Sequence, residues 1–308
     1  MSPKTQGGAY FTRMDFTIVT PSFNQLDLLA RCISSVADQE EVTLEHVIQD
    51  AGTKGFGEFT EIMRSRWPDR PGYRRTMVSE PDQGMYDAIN KGLRRGTGEI
   101  CAYLNCDEQY LPGTLKAVRE KFTQTPEAEI LYGGFLVVDS DGKLVAFRRP
   151  VKMSWPHVAT SHLPNFTCST FFRRALLERD QAWFDPNFKA CGDAVWTIAR
   201  LQSRIPSRNH DKFLAIFTEG KKNQGVSGGG LAEAQAIHKS APLWARIGAP
   251  LWETIHRTRK IFTGGYRCEP IQYQLFLGEQ KSGRTAFYVA RPNPIWKSRL
   301  FLKRGSRA

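Results

Sequence analysis

Gly98-Glu99-Ile100-Cys101-Ala102-Tyr103-Leu104-Asn105-Cys106-Asp107-Glu108 sets a short, mostly apolar run, residues 100–104, just ahead of two adjacent carboxylates. A run of that length, bounded by Gly98 and Asn105, reads as a buried strand. In open parallel sheets, ligands sit beyond the carboxyl ends of the strands. Adjacent carboxylates at such an end repel each other unless a cation or a hydroxyl-rich ligand lies between them. A hard divalent metal carrying phosphates meets that need, because it takes oxygen ligands and keeps phosphate oxygens in its shell. An exposed acidic turn before Pro112-Gly113 is the plainer alternative, and the dipeptide alone does not separate the two.

Upstream, strands and helices alternate. Phe16 to Thr20 is a β-rich run ending at Pro21. Ser22-Phe23-Asn24 follows, with Asn24 placed to cap a helix carrying Leu29, Cys32, Ile33 and Val36. Leu44 to Gln49 is a second strand ending at Asp50, and a glycine-bearing turn, 52–57, leads into a helix over Glu58 to Trp67. Thr76 to Ser79 is a short third strand ending in Glu80-Pro81-Asp82-Gln83-Gly84, before a helix with Met85, Ala88, Ile89 and Leu93 on one face. Short connections between alternating elements predict a doubly wound, mostly parallel sheet. Its strand ends carry Pro21 to Asn24, Asp50, Glu80 with Asp82, and Asp107 with Glu108. Polar groups at four ends favour one ligand crevice.

No Gly-x-Gly-x-x-Gly follows the first strand and no Walker-type lysine loop is present, which argues against dinucleotide and P-loop folds. Gly92, Gly96 and Gly98 close a helix and enter a strand, so they read as capping and turn glycines.

Downstream the pattern changes. Leu115 to Phe122 reads as a helix and Glu129 to Phe135 as a strand, and residues 137–145 alternate around Asp141-Gly142 as a hairpin. Thr167 to Phe172 is a further strand, with Arg173-Arg174 opening a helix. Gly192 to Leu201 reads as a helix with Asp193 in its first turn, where the macrodipole favours any acid, so position alone gives Asp193 no chemistry. Lys212 to Phe217 is the last strand of this part, and the stretch 223–230, ending in three glycines, reads as a flexible lid or linker. Leu243, Trp244, Ile247, Leu251, Ile255 and Phe262 then recur at helical spacing, interrupted by Pro250. Residues 295–304 mix aromatics with cations, as an interfacial segment or a helix packed back on the domain does.

The 308 residues divide by this reading into a polar, flexible N-terminus (1–14), a main domain (15–230) whose halves meet at 135/136, and a helical, basic C-terminal extension (231–308). At 41% apolar the chain can bury a substantial core. No apolar run approaches the about 18 residues of a membrane span, and the N-terminus lacks an apolar signal core, so the expected location is cytoplasmic. Net charge is +12, but from Leu243 onward there are 13 Lys/Arg against 3 Asp/Glu, and before it 30 against 28. The basic part suits an anionic membrane surface or nucleic acid, or serves only as a solvated tail. Cys32, Cys101, Cys106, Cys168, Cys191 and Cys268 show no paired metal-ligand spacing and read as reduced core residues. The six histidines, His46, His157, His162, His210, His238 and His256, show no ligand spacing either; they read as structural, with His162 and His210 the two considered for an additional metal ligand.

The ordered set of these pieces resembles the family 2 glycosyltransferases of the GT-A fold, in the branch that builds bacterial surface polysaccharides. Its parts are Val19 to Asn24, Gln49 to Thr53, Ser79 to Gly92, Gly98, Leu104 to Glu108, and Gly192-Asp193, within residues 16–227. The resemblance implies a GT-A-like sheet with a nucleotide-sugar-binding half, 15–135, and a smaller mixed acceptor half, 136–230. It implies a nucleoside-diphosphate sugar donor, a glycan or lipid-linked acceptor, a divalent metal such as Mg or Mn, and inversion at the anomeric carbon. By position, Pro21 and Phe23 line the base pocket with Asn24 beside them, and Asp50 holds the nucleobase. Asp107 meets the ribose or sugar and shares the metal with Glu108, Asp193 is the general base, and Asp82, Asp87 and Asn90 lie on the donor side. Two departures stand out: the motif ends in Glu108 where an aspartate is usual, and Gly192 precedes the base where an acid is common.

The chemistry is consistent with the residues. A leaving nucleoside diphosphate gains charge that a bound metal stabilises, and a carboxylate can take the acceptor proton. No Gly-x-Ser-x-Gly elbow or His-Glu-x-x-His helix offers a different reaction. The rival readings are a sugar-phosphate nucleotidyltransferase-like enzyme, for which Pro21 to Gln25 lacks the expected Gly-rich basic loop, and a non-catalytic protein binding anions or nucleic acid. The near-neutral main domain speaks against nucleic acid as a partner.

Overall fold

A computed structural model describes residues 14–220, 228–278 and 283–296. The expected flexible N-terminus (but for Met14), the stretch 223–227 and the tail beyond Trp296 lie outside them.

The first half alternates as expected. It runs β1 (Phe16–Ser22), α1 (Leu26–Ala37), β2 (Leu44–Asp50), α2 (Phe56–Arg66), β3 (Tyr73–Ser79), α3 (Met85–Arg95) and β4 (Ile100–Tyr103). Every residue of β1, β2 and β4 is buried, so none shows the alternation of a half-exposed strand, although β2 carries Glu45, His46 and Gln49 into the interior. Helix α1 buries Leu29, Cys32, Ile33 and Val36 at helical spacing against this sheet. Helix α3 buries Ala88, Ile89 and Leu93 in the same way.

The second half comprises β5 (Glu108–Tyr110), α4 (Thr114–Gln124), β6 (Ile130–Val138), β7 (Leu144–Arg148), α5 (Trp155–Thr160), a 3-10 turn (Thr167–Ser169), β8 (Thr170–Arg173), α6 (Ala175–Arg179), α7 (Gly192–Gln202) and β9 (Ser207–Thr218). The nine strands form one sheet in the order β3-β2-β1-β4-β8-β6-β9-β5, with β7 branching from β6. Strands β3, β2, β1 and β4 are parallel, whereas β8 runs antiparallel to β4 and to β6, and β5 antiparallel to β9. The Asp141-Gly142 hairpin joins β6 to β7, with Gly142 at φ 82°, but the change from parallel repeats to mixed structure begins earlier, at β5.

Gly98 is held to glycine by close approach. A Cβ there would lie 2.2 Å from the Phe16 carbonyl carbon, and its N–H donates to Thr17 Oγ1 and Glu45 Oε1, each at 2.8 Å. This fixes the register on which β4 enters beside β1.

Several local expectations are corrected. β1 continues through Pro21 to Ser22, and Asn24 does not cap α1: Gln25 holds that position while Asn24 adopts a left-handed turn at φ 54°, its N–H bound to Thr53 Oγ1 at 2.8 Å. Glu108 is not in a plain turn, since it opens β5. Residues 228–230, expected to end a flexible stretch, open α8 (Gly228–Ser240), so the boundary at 230/231 falls inside a helix.

Beyond α8 come α9 (Leu243–Ile247), α10 (Ala249–Phe262) and the hairpin β10 (Ile271–Leu275) with β11 (Thr285–Val289). What is described of the C-terminal extension packs on the main domain. Ile271, Tyr273 and Leu275 join Leu136, Val138, Phe147 and Ile216 in one cluster. Trp296 enters the central core and donates its indole N–H to Glu219 Oε1 at 2.7 Å. Arg284 grips both carboxylate oxygens of Asp38 at 2.6 and 2.8 Å. Among the described residues, no helix is long and apolar enough to cross a membrane.

Candidate active site

β1, β2 and β3 end level with one another, Ser22 pairing Asp50 and Asp50 pairing Ser79, while β4 ends at Tyr103 opposite Val19. Asp50 is fully buried, and its carboxylate organises the loop beyond. It accepts the N–H of Gly52 (2.9 Å) and Thr53 (2.7 Å) and the hydroxyls of Thr53 (2.6 Å) and Ser79 (2.9 Å). Pro21 is buried beside it in β1, while Phe23 stands 57% exposed at the mouth, an open aromatic face next to the left-handed Asn24.

Asp107 and Glu108 sit at the junction of β4 and β5. The Glu108 N–H donates to Asn105 O (3.0 Å), and the Asn105 N–H donates back to Glu108 Oε2 (2.8 Å), so the loop closes on its own carboxylate. Asp107 is half-buried and Glu108 only 2% exposed. Burial lifts the Glu108 carboxyl far above its ordinary range, and the charges of Asp107 and Asp193 add to the lift; burial raises Asp107 too. Among the described residues no ion pair joins a lysine or arginine to either carboxylate, although Arg31 lines the same small cavity as Asp107. Asn105 Oδ1 is buried beside them without a hydrogen-bond partner. Crowded, uncompensated oxygen donors are the set that a hard divalent cation accepts. With Oε2 bound to the Asn105 N–H, Glu108 would offer Oε1, and Asp107 its more open carboxylate.

Asp193 lies in the first turn of α7, and a three-layer support places it there. Its N–H donates to the Tyr86 hydroxyl (3.1 Å), and that hydroxyl stands 3.3 Å from Asp193 Oδ1 and from Ala190 O. Ala194 N–H donates to Oδ1 at 2.8 Å. Tyr86 stacks on Phe184 (5.9 Å), which stacks on Trp196 of α7 (5.4 Å) and meets Tyr103 of β4 edge-on (5.3 Å). Asn90 fastens this stack from α3: its amide donates to Phe184 O (2.7 Å) and accepts the Phe184 N–H (3.0 Å). The unusual Gly192 follows from the same packing, since a Cβ there would lie 2.7 Å from the Tyr86 ring.

Asp107 and Asp193 thus both bear electrostatically on Glu108, and the Pro21, Phe23 and Asp50 segment forms the neighbouring strand ends. Asn90, expected on the donor side, is buried, and its amide holds both main-chain groups of Phe184. Asp82 accepts the Gly84 N–H (2.8 Å) and Asp87 accepts the Gln83 N–H (3.0 Å) while pairing Lys91 (3.1 Å), so both shape the turn that starts α3. Tyr86 and Phe184 were missed in the sequence. Tyr86 sits inside the quoted Ser79 to Gly92 stretch, but Phe184 shows its role only through contacts distant along the chain. Burial pushes the Cys106 and Cys168 thiols near this site well above their usual range, so neither offers a thiolate nucleophile. A cavity of about 760 Å³ lies elsewhere, between Leu136, Lys212, Phe213 and the β10–β11 hairpin.

The chain is similar to known proteins. A PGL/p-HBAD biosynthesis glycosyltransferase from Mycobacterium tuberculosis is 29% identical over 123 residues, 40% of this chain and 47% of that protein. An uncharacterized glycosyltransferase from Nostoc sp. is 26% identical over 133 residues, 43% of this chain and 40% of that protein. The chain thus spans less than half the length of these curated relatives. Among solved structures, Staphylococcus aureus TarS 1–349 in complex with UDP-GlcNAc is similar with a TM-score of 0.57 at 14% identity, over 81% of this chain and 73% of that one, a likeness of fold. The profile of glycosyl transferase family 2 matches residues 17–179, from β1 to the end of α6 and across the strand ends that carry Asp50 and Asp107-Glu108, and the chain belongs to that family.

Proposed function

We propose that the chain is an inverting, metal-dependent glycosyltransferase that moves a sugar from a nucleoside-diphosphate sugar to a glycan or lipid-linked acceptor in surface polysaccharide synthesis. The observation that carries this reading is that the negative charges of Asp107 and Asp193, from segments far apart in sequence, both bear on the buried Glu108. A carboxylate pair at a strand end with a third acid bearing on it divides naturally into a cation-and-donor pair and a separate base.

In this reading Phe23 and Pro21 flank the base and the Asp50 loop shapes the pocket around it. Asp107 accepts a hydroxyl of the ribose or sugar. Asp107 and Glu108 would hold a divalent metal such as Mg or Mn, which stabilises the charge of the leaving diphosphate as a Lewis acid. Asp193 takes the proton of the acceptor hydroxyl as that oxygen forms its bond to the anomeric carbon and the diphosphate departs. One displacement inverts the centre. A positioned base contributes about 10²–10⁴-fold. The UDP-GlcNAc complex of the similar TarS fold supports a nucleotide-sugar as the donor class.

The acceptor reading concerns the membrane. Leu243, Trp244, Ile247, Leu251, Ile261 and Phe262 on α9 and α10 are each more than half exposed, with Arg257 and Arg267 exposed nearby. Such a surface suits the anionic, cytoplasmic face of a membrane that carries lipid-linked acceptors.

The test is transfer and donor hydrolysis by the full chain across nucleotide-sugars, with Mn²⁺, Mg²⁺ or chelator, and with the product anomer read by NMR. Asp107→Asn with Glu108→Gln is expected to abolish the metal-dependent rate, and Asp193→Asn to lower it about 10²–10⁴-fold with donor affinity kept. Full activity of the double variant in chelator, or a retained anomer, would overturn the reading.

A further inference from the structure

Three imidazoles meet outside the site described above. His157 lies on α5, His162 two residues past its end, and His256 on α10. One ring nitrogen from each falls within 4.8 Å of the others. The His157 and His256 rings stack at 4.3 Å, and His162 meets their edges at 4.8 and 5.4 Å. His157 is 1% and His256 8% exposed, while His162 is half-buried at the rim.

A carboxylate stands behind them. Glu253 Oε2 lies 3.9 Å from His157 Nδ1 and accepts the Ser161 hydroxyl at 2.7 Å, while Arg257 pairs with Oε1 at 3.0 Å. The Ser161 hydroxyl has one proton, and it points to Glu253. Its 3.0 Å contact with His162 Nδ1 is therefore an Nδ1–H donating to Ser161 Oγ. That tautomer leaves the lone pair of His162 on Nε2, as metal ligation through Nε2 requires. Glu253 thus orients His162 through the Ser161 hydroxyl, an outer support of the kind that metal-bound imidazole uses.

We propose that His157, His162 and His256 bind a zinc-class divalent cation that fastens α10 to α5. Imidazole nitrogens select zinc, cobalt, nickel or copper over magnesium and calcium. Zinc–nitrogen bonds of about 2.1 Å put tetrahedral ligands roughly 3.4 Å apart, so binding draws the nitrogens together by about an ångström and turns the His157 and His256 rings out of their stack, 11° from parallel, until their in-plane lone pairs converge. Three histidines leave the fourth position to water. The consequence reaches the active site through packing. Helix α5 presents Trp155 and Ala159 to Val195 and Ile198 of α7, the helix that carries Asp193, with Ala245 of α9 in the same cluster. A cation between α5 and α10 stiffens the side of α7 away from Tyr86.

The test uses the full chain, stripped with chelator and dialysed against ZnCl₂, with CoCl₂ as the spectroscopic probe. One Zn²⁺ per chain is expected, with the visible absorption of tetrahedral Co²⁺. Free zinc at 100 times its Kd should favour the folded state about 100-fold and raise Tm. His162→Ala, at the rim, and His256→Asn should lose the bound ion, the Co²⁺ spectrum and the Tm shift while circular dichroism remains native. Glu253→Gln should weaken binding about 10–100-fold. Asp107→Asn with Glu108→Gln should keep all three signals, which separates this site from the carboxylate pair. No retained zinc in the native chain, or unchanged stoichiometry in folded His162→Ala and His256→Asn, would overturn the proposal.

Discussion

The Tyr86 hydroxyl receives the backbone N–H of Asp193 at 3.1 Å and stands 3.3 Å from its Oδ1, so one phenol sets both the main chain and the carboxylate of the residue assigned as base. Burial and the Asp193 charge hold the phenol well above its ordinary pKa, so it stays neutral and can donate at physiological pH. Tyr86→Phe retains the stack on Phe184 and removes only this hydroxyl. One hydrogen bond is worth about 1 kcal/mol net. The expected result is a roughly 5–10-fold lower kcat with donor KM unchanged, read by steady-state kinetics. A change in donor KM alone would mean that the hydroxyl serves the nucleotide instead.

Asn90 bears on the same residues through Phe184. Its amide satisfies both backbone groups of Phe184 inside the aromatic stack. Asn90→Ala leaves a buried N–H and C=O unpaired, each costing about 1–3 kcal/mol. The expected outcome is a loss of about 2–5 kcal/mol in urea unfolding and a fall in kcat through displaced Tyr86. Asn90→Asp keeps the acceptor for the N–H but loses the donor to the carbonyl, so it should fall between native and Ala. If Asn90→Ala folds with native stability yet loses donor affinity, the amide contacts donor rather than main chain.

The parallel half was legible because its signals are local. β1 and β4 are mostly apolar or β-branched runs, β2 carries Leu44, Val47 and Ile48 ahead of a glycine-bearing turn, and Leu29 to Val36 of α1 repeats at helical spacing. The carboxylate pair was legible for the same reason. β5 was not, since three residues from Glu108 become a strand only by pairing with β9, far along the chain. Asn24 has the composition of a cap, but Thr53 Oγ1 claims its N–H and the turn goes left-handed. The histidine cluster has no linear signature, because α10 supplies its third member from the other end of the chain. The basic extension read as a tail, although Arg284 and Trp296 tie it to Asp38 and Glu219.

His46 gives a pH dependence of defined sign. It is fully buried in β2, with Nε2 2.9 Å from Thr20 Oγ1. Burial, with the Arg75 charge, lowers its pKa from 6.5 to about 3. The unfolded chain binds a proton near pH 6.5 and the folded chain does not, so stability is full above that pH and is lost as pH falls through it. Between pH 7 and 5 the loss should be about 2 kcal/mol from this residue. Urea midpoints across that range measure it, and His46→Gln should flatten the slope. A slope equal in both proteins would place the titration elsewhere.

The apolar surface of α9 and α10 makes the last prediction. Ile247 of α9 and Phe262 of α10 are 71% and 85% exposed, whereas His256 and Lys260 of α10 face inward. Helical spacing puts Leu251 and Ile261 on the outer side, so substitution there leaves the α5 contact in place. Each large apolar side chain that enters an interface contributes about 1.5–3 kcal/mol when fully buried. Ile247→Ser with Phe262→Ser is therefore expected to weaken binding to vesicles containing anionic lipid at least about 100-fold in sedimentation, with Tm and transfer to a soluble acceptor unchanged. Binding to neutral vesicles should be weaker and less sensitive to salt, because Arg257 and Arg267 contribute about 1 kcal/mol each only near an anionic surface. Equal vesicle binding by the native and doubly substituted chains would remove this face from the membrane reading and leave the glycosyl-transfer reading standing.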